Sequence, residues 1–333
     1  MTDLRQHLLD GQVIPACPLP LTETGQWSEK HQRALARYYV ESGAGGLAVG
    51  VHSTQFEIRE PQHALFEPVL ELVASELPDE VTKIAGICGR TTQAMAEAAF
   101  ALDCGYQAGL LSMRALGDAP EDAVLDHCRE VAGTIPTIGF YLQPAVGGRV
   151  FSYAFWREFA EIANVVAIKI APFDRYLTMD VVRAVTDSGR DDIALYTGND
   201  DNIIADLLTT FPGGRRIVGG LLGQWGIWTK NAVSQLAAIR QIDGAVPPEL
   251  LTENAILTEA NAIVFDSANG FAGCIPGIME VLRRTGLSPS NRCLDPDERL
   301  SPGQAAELDR IERAYPHLDD YQFVRENLDR WLA

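Results

Sequence analysis

The chain has 333 residues, 47% of them hydrophobic and 22% charged, with a formal net charge of −18 at pH 7. That length admits one large single-core fold or two ordinary domains, and the composition excludes wholesale disorder, collagen and a small disulfide scaffold. So acidic a surface repels phosphate backbones and anionic headgroups, and no basic block offsets it, so neither nucleic acid nor a membrane is expected as a partner.

Met1 to Leu21 carries Asp3, Arg5, His7 and Asp10 and lacks a continuous apolar stretch, so a secretory leader is not expected there. No run of about 18 apolar residues exists to span a bilayer. The six cysteines are scattered without C-x-x-C spacing, which signals neither a zinc site nor a redox motif. A reducing cytoplasm is the expected location.

Short apolar runs begin near Val13, Gly46, Thr82, Ala108, Pro136, Val165, Ile193 and Arg216, with spacings of 23 to 36 residues, the length of a strand–helix unit. Helical periodicity fills the gaps. Ser28 stands as a cap before HQRALARYYVES, and Gly43 stops that helix ahead of the second strand. Thr91 and Thr92 precede QAMAEAAFALDC, which Gly105 ends. Asp118 to Pro120 precede EDAVLDHCREVAG, and Ser152 opens YAFWREFAEIA. Further helices begin near Thr178, Asn202 and Thr229. Strands apolar on both faces alternating with helices predict an α/β fold of the (β/α)8 TIM-barrel type. A doubly wound sheet is the rival, but the Gly43-Ala44-Gly45-Gly46 stretch precedes a strand, whereas a dinucleotide fingerprint follows one. Beyond Gln241 only helical segments remain. The expected division is a barrel over residues 1–243 and a C-terminal helical extension over 244–333, which packs on the barrel or serves an oligomer interface.

Chemistry concentrates at the carboxyl ends of the strands, the face that carries active sites in barrels. Four lysines occur, and only Lys169, in VVAIKI, sits at such an end among apolar neighbours. Desolvation disfavours an ammonium, so an amine held there is a nucleophile able to form an imine with a carbonyl. The same placement suits a lysine reaching past the strand end to Asp174. Tyr141 ends the preceding strand and stands either as a proton relay for that amine or as a phenol closing the barrel top on a backbone carbonyl. After the second strand, His52-Ser53-Thr54 offers amides and hydroxyls for a carboxylate and a histidine that titrates near neutrality, or simply a polar loop.

Tyr141-Leu142-Gln143-Pro144, followed 28 residues after the tyrosine by Lys169, resembles the Tyr-x-x-Pro strand end and imine-forming lysine of the dihydrodipicolinate synthase / N-acetylneuraminate lyase family. SGAGGLAVGV with HSTQ is similar to that family's second strand and carboxylate loop, and Thr197 to Asp200 to its seventh strand end. The resemblance covers roughly Val13 to Gln241. It implies a class I, lysine Schiff-base enzyme acting on pyruvate or a related 2-oxo acid, with Lys169, Tyr141 and His52 catalytic. Ser53, Thr54, Gly198 and Gly219 are then the expected substrate contacts. The covalent imine requires no cofactor and no metal, and an aldehyde is the expected second substrate. Self-association as a homodimer or homotetramer also follows.

Departures bear on the second substrate. His52 replaces a threonine, Arg114-Ala115-Leu116 stands where a second tyrosine is usual, and Val146 replaces an arginine two residues past Pro144. A lyase that is not a true dihydrodipicolinate synthase is therefore expected, with Arg114, Arg149 and Arg175 as candidate cations for an anionic partner. The alternative is a barrel that binds a 2-oxo acid or sugar acid without turnover.

Overall fold

The computed structural model describes residues 3–333; residues 1 and 2, inside the expected barrel segment, lie outside the described residues. Eight strands form one parallel sheet: β1 (Val13–Pro15), β2 (Gly46–Val49), β3 (Thr82–Ile87), β4 (Ala108–Ser112), β5 (Thr137–Leu142), β6 (Val165–Ala171), β7 (Ala194–Thr197) and β8 (Gly219–Leu222). Each strand pairs with its sequence neighbour, and β1 pairs with β8. The last seam, β1 to β2, is held by a single parallel bridge from Ala16 to Ala48, with the Cys17 amide on the Ala48 carbonyl at 2.8 Å. The result is the (β/α)8 barrel that the spacing of apolar runs predicted.

Helices follow the strands in turn. A short α1 (Leu4–Leu9) precedes the barrel, and α2 (Glu29–Ser42), α3 (Phe66–Glu76), α4 (Thr91–Asp103), α5 (Glu121–Thr134), α6 (Tyr153–Phe159), α7 (Arg175–Ser188), α8 (Ile203–Leu208) and α9 (Thr229–Arg240) form the outer ring. Gly43 ends α2 in the left-handed region at φ 93°, a conformation that costs glycine nothing. The Ser152 hydroxyl caps α6 by accepting from the Phe155 amide at 3.1 Å. The unforeseen α1 plugs the amino end of the barrel: Leu4, Leu8 and Leu9 pack into the interior, and the Tyr196 hydroxyl donates to the Leu8 carbonyl at 2.8 Å.

Strand side chains alternate between two cores. Ile14, Ala48, Ile84, Leu110, Ile138, Phe140, Ala167, Tyr196 and Leu221 fill the barrel interior, while their strand neighbours face the helix ring. Each inward aliphatic side chain stabilises the fold by roughly 1.5–3 kcal/mol relative to exposure. This alternation decides which functional side chains can meet.

Four helices complete the chain: α10 (Glu249–Val264), α11 (Cys274–Thr285), α12 (Gln304–Ala314) and α13 (Tyr321–Trp331). α10 packs on α8, α12 on α10, and α13 on α2. Asp320 fastens this region to the ring, accepting from the Tyr38 hydroxyl at 2.6 Å and from the Lys230 and Asn231 amides at the start of α9. Among the described residues no helix is long and apolar enough to cross a membrane.

Candidate active site

Every residue of β6 is buried, and Lys169 is its only polar side chain. It points into the barrel between Ala167 and Ala171, 7% exposed. Its register partner on β5 is Phe140, and the Lys169 Nζ lies 4.2 Å from the centre of that ring. Room for the lysine stem comes from the next strand end: a Cβ on Gly198 would fall 2.7 Å from Lys169 Cε and from Ala171 Cβ. A side chain at this position would therefore crowd the lysine stem against Ala171.

One carboxylate shares this chamber. Asp200 follows β7, with Oδ1 accepting from the Gln224 amide at 3.3 Å and its carbonyl accepting from Asn261 Nδ2 at 2.7 Å. Burial pushes the Lys169 ammonium below the ordinary lysine range, and the Asp200 charge opposes that shift. Burial likewise pushes Asp200 above the usual carboxylate range, with Lys169 pulling it back. Each group's charge thus opposes the effect of burial on the other, so their titrations are linked.

The turn after β2 supplies the opposite wall. His52 and Ser53 line the chamber. The His52 ring is pushed down to about 4, by burial first and then by the charges of Lys169 and Arg114, so it stands neutral at physiological pH. Thr54, expected at the substrate, holds the turn instead. Its hydroxyl donates to the Cys17 carbonyl at 2.6 Å and accepts from the Gly50 and Val51 amides at 2.9 and 3.2 Å.

Several expected site residues are elsewhere. Tyr141 neighbours Phe140 on β5 and therefore faces the helix ring, where its ring lies 4.9 Å from that of Trp156 and its hydroxyl accepts from the Phe151 amide at 3.3 Å. A shared pocket with Lys169 is excluded by strand alternation. Gly219 opens β8 at the amino end, where a Cβ would strike the backbone of Gln12; the cavity is lined by Gly223 instead. Arg149 donates to the carbonyls of Leu116, Gly117 and Ala119 and covers the Phe151 ring, clamping the loop after β4. Arg175 pairs with the buried Asp206 at 2.6 Å. Asp174 caps α7 by accepting from the Leu177 amide, so the acidic partner of Lys169 is Asp200.

The chamber is small, about 60 Å³, and mostly apolar, with Ala16, Val51, Leu142, Val146 and Phe173 contributed by the barrel. Phe265, Cys274 and Ile278, on and beside α10 and α11, roof it together with Phe271. Phe173 and Phe271 both hold left-handed backbone, φ 53° and 68°, and their rings meet edge to face at 5.7 Å across the mouth. Such conformations cost roughly 1–3 kcal/mol each and persist where surrounding packing enforces them. Through His52, Val146 and Phe271 the chamber adjoins an outer vestibule of about 500 Å³. Arg114 is there, over the Phe56 ring at 5.2 Å, but so are Glu57, Asp295, Asp297 and Glu298. Among the described residues no group of three or more His, Cys, Asp or Glu side chains gathers to hold a metal.

Sequence reasoning passed over Asp200 and the roof. A carboxylate at the end of the strand beside the lysine's strand was the available signal for Asp200. The roof residues carry no motif.

A family model described as the dihydrodipicolinate synthetase family matches residues 10–218. The chain is similar to 4-hydroxy-tetrahydrodipicolinate synthase of Moorella thermoacetica, 28% identical over 195 residues, or 57% of this chain and 64% of that one. The enzyme of the same name from Acaryochloris marina is 25% identical over 219 residues, 64% of this chain and 72% of that one. The chain thus matches just under two thirds of the length of the Moorella relative. In fold it is similar to the chloride-inhibited dihydrodipicolinate synthase of Acinetobacter baumannii complexed with pyruvate, with a TM-score of 0.76 at 19% identity, covering 91% of this chain and 98% of that one. It is similar also to CdNal of Clostridium difficile in complex with mannosamine, with a TM-score of 0.73 at 16% identity, covering 94% and 100%.

Proposed function

The chain belongs to the dihydrodipicolinate synthetase family, and from that membership we propose that it is a Schiff-base-forming lyase, an aldolase or dehydratase, acting on pyruvate or a related 2-oxo acid. The observation that carries this reading is Lys169: a desolvated amine at the carboxyl end of a barrel strand, in a small chamber that also holds the Asp200 carboxylate. The neutral amine attacks the keto carbon, the carbinolamine loses water, and the protonated imine draws electrons from the adjacent carbon. His52 and Ser53, facing the amine from the β2 turn, hold the substrate carboxylate.

The aldehyde partner, or the fragment released in cleavage, occupies the vestibule. Four carboxylates against one arginine there disfavour a polyanion. With Val146 lining the chamber and the Tyr141 phenol outside it, the half of the pocket that meets the second substrate is rebuilt, which supports an activity other than dihydrodipicolinate synthesis. The six unpaired cysteines support a reducing cytoplasm.

The test is intact-mass analysis after borohydride reduction with pyruvate and with longer 2-oxo acids, alongside Lys169→Ala. A lysine-dependent mass gain supports the imine. A protein that binds 2-oxo acids yet yields no adduct with any of them is the binding barrel without turnover.

A further inference from the structure

Imine chemistry needs a group that moves protons at the carbon next to the imine. Among the described residues, five side chains that could act as a general acid or base line the chamber: Lys169, Asp200, His52, Ser53 and Cys274; the Gln143 amide, also there, neither gains nor loses a proton near neutrality. Lys169 is consumed as the nucleophile. Ser53 Oγ is turned to the Cys17 carbonyl, at 3.4 Å. Burial pushes the Cys274 thiol far up, and His52 is held down at about 4, too weak a base to keep a proton near neutrality. Neither nearby tyrosine is free: Tyr141 lies outside the barrel on the Phe151 amide, and Tyr196, the lysine's register partner on β7, turns down to the Leu8 carbonyl. The ring opposite the lysine is Phe140, which has no hydroxyl.

On the imine reading above, we propose that Asp200 is the acid–base residue of this site, the carboxylate that takes the C3 proton of the lysine-bound 2-oxo acid and later returns it. In the first step the C3–H bond breaks and its electrons form the C2=C3 bond. The iminium pair returns to nitrogen, and Asp200 becomes the neutral acid. When the enamine adds to an aldehyde, the new alkoxide takes that proton back and Asp200 is a carboxylate again. Atoms and electrons balance with no further reactant. Geometry holds the group in the chamber it shares with the lysine: one oxygen accepts from the Gln224 amide and the backbone carbonyl from Asn261 Nδ2. Its burial raises its affinity for protons toward neutrality, where a general base is most effective.

The experiment separates imine formation from proton transfer. Wild type, Asp200→Asn, Asp200→Glu and Tyr141→Phe are incubated with pyruvate in D2O; methyl-proton loss is followed by NMR, and adduct by borohydride trapping. The Asp200→Asn change keeps an oxygen for the Gln224 amide, and thermal melting checks its fold. The expected result is trapping in all four proteins, with exchange in Asp200→Asn down about 10²-fold or more, partial recovery in Asp200→Glu, and no change in Tyr141→Phe. Wild-type exchange in Asp200→Asn, or lost exchange in Tyr141→Phe, overturns the assignment to Asp200 while leaving the imine standing. A folded Asp200→Asn that no longer traps also overturns it, because the residue then acts before C3 chemistry. A wild type that neither traps nor exchanges with pyruvate or longer 2-oxo acids removes the imine and Asp200's role together.

Discussion

Phe140 and Lys169 stand opposite one another on adjacent strands, the lysine nitrogen 4.2 Å from the centre of the ring. Because side chains alternate along a strand, a ring at position 140 facing inward commits Tyr141 to the outer layer. The face of an aromatic ring attracts an ammonium, so Phe140 partly offsets the desolvation that drives Lys169 toward neutrality. It supplies no proton.

The lowered pKa of Lys169 fixes the sense of one pH profile. An ordinary lysine, titrating near 10.5, is protonated and unreactive at neutral pH. Here the free amine persists to lower pH, and reactivity is lost as pH falls through the depressed value. Reductive trapping with a saturating 2-oxo acid, measured from pH 6 to 10, is expected to reach half-maximum well below 10.5; a midpoint at the ordinary lysine value contradicts the desolvated amine.

Gly198→Ala places a methyl group against Lys169 Cε and Ala171. Overpacking of this kind costs about 1–3 kcal/mol and displaces the side chain that yields most easily, here the lysine stem. Trapping is expected to slow at least about tenfold, since each such displacement forfeits attack geometry, while thermal melting shows a folded protein.

Thr54→Val removes a hydroxyl that serves three backbone groups in a buried turn. Leaving those groups unsatisfied costs on the order of 1–3 kcal/mol. Urea unfolding is expected to report that loss, and KM for the 2-oxo acid is expected to rise with the loosened turn while the pH dependence of trapping is unchanged.

His52 is neutral in the folded protein down to about pH 4 but titrates at 6.5 when unfolded. Between those values the unfolded chain binds more protons, so the contribution of His52 to stability is fully present above pH 6.5 and drains away as pH falls toward 4. Urea unfolding at pH 7 and pH 5 is expected to show a smaller drop in His52→Gln than in wild type, and the imidazole resonances are expected not to move between pH 5 and 8. A histidine that titrates in that interval is not desolvated.

The barrel was legible because its signal is repetitive: apolar runs at strand–helix spacing, with Gly43 and Gly105 as stops, leave few other folds. Lys169 was legible because VVAIKI sets it among apolar neighbours at a strand's carboxyl end and its spacing from Tyr141 resembles the family's imine-forming lysine. Tyr141 misled because sequence spacing counts residues, whereas the wall a residue faces depends on register and parity. The strands β5 and β6 slip register between Thr137 and Ile138, and such a slip leaves no mark in the text of the sequence. Arg149 misled because a charge near a strand end reads the same whether it meets a ligand or three backbone carbonyls. The roof was invisible: Phe265, Phe271 and Ile278 reach the chamber only through tertiary packing of helices that resemble any others.

The roof over Lys169 is built from residues that a ribosome adds long after the lysine itself. Without α10 and α11 the chamber lacks Phe265, Phe271, Cys274 and Ile278, and the burial that lowers the Lys169 pKa is incomplete. Desolvation of this amine is therefore completed only when the C-terminal helices close over the barrel.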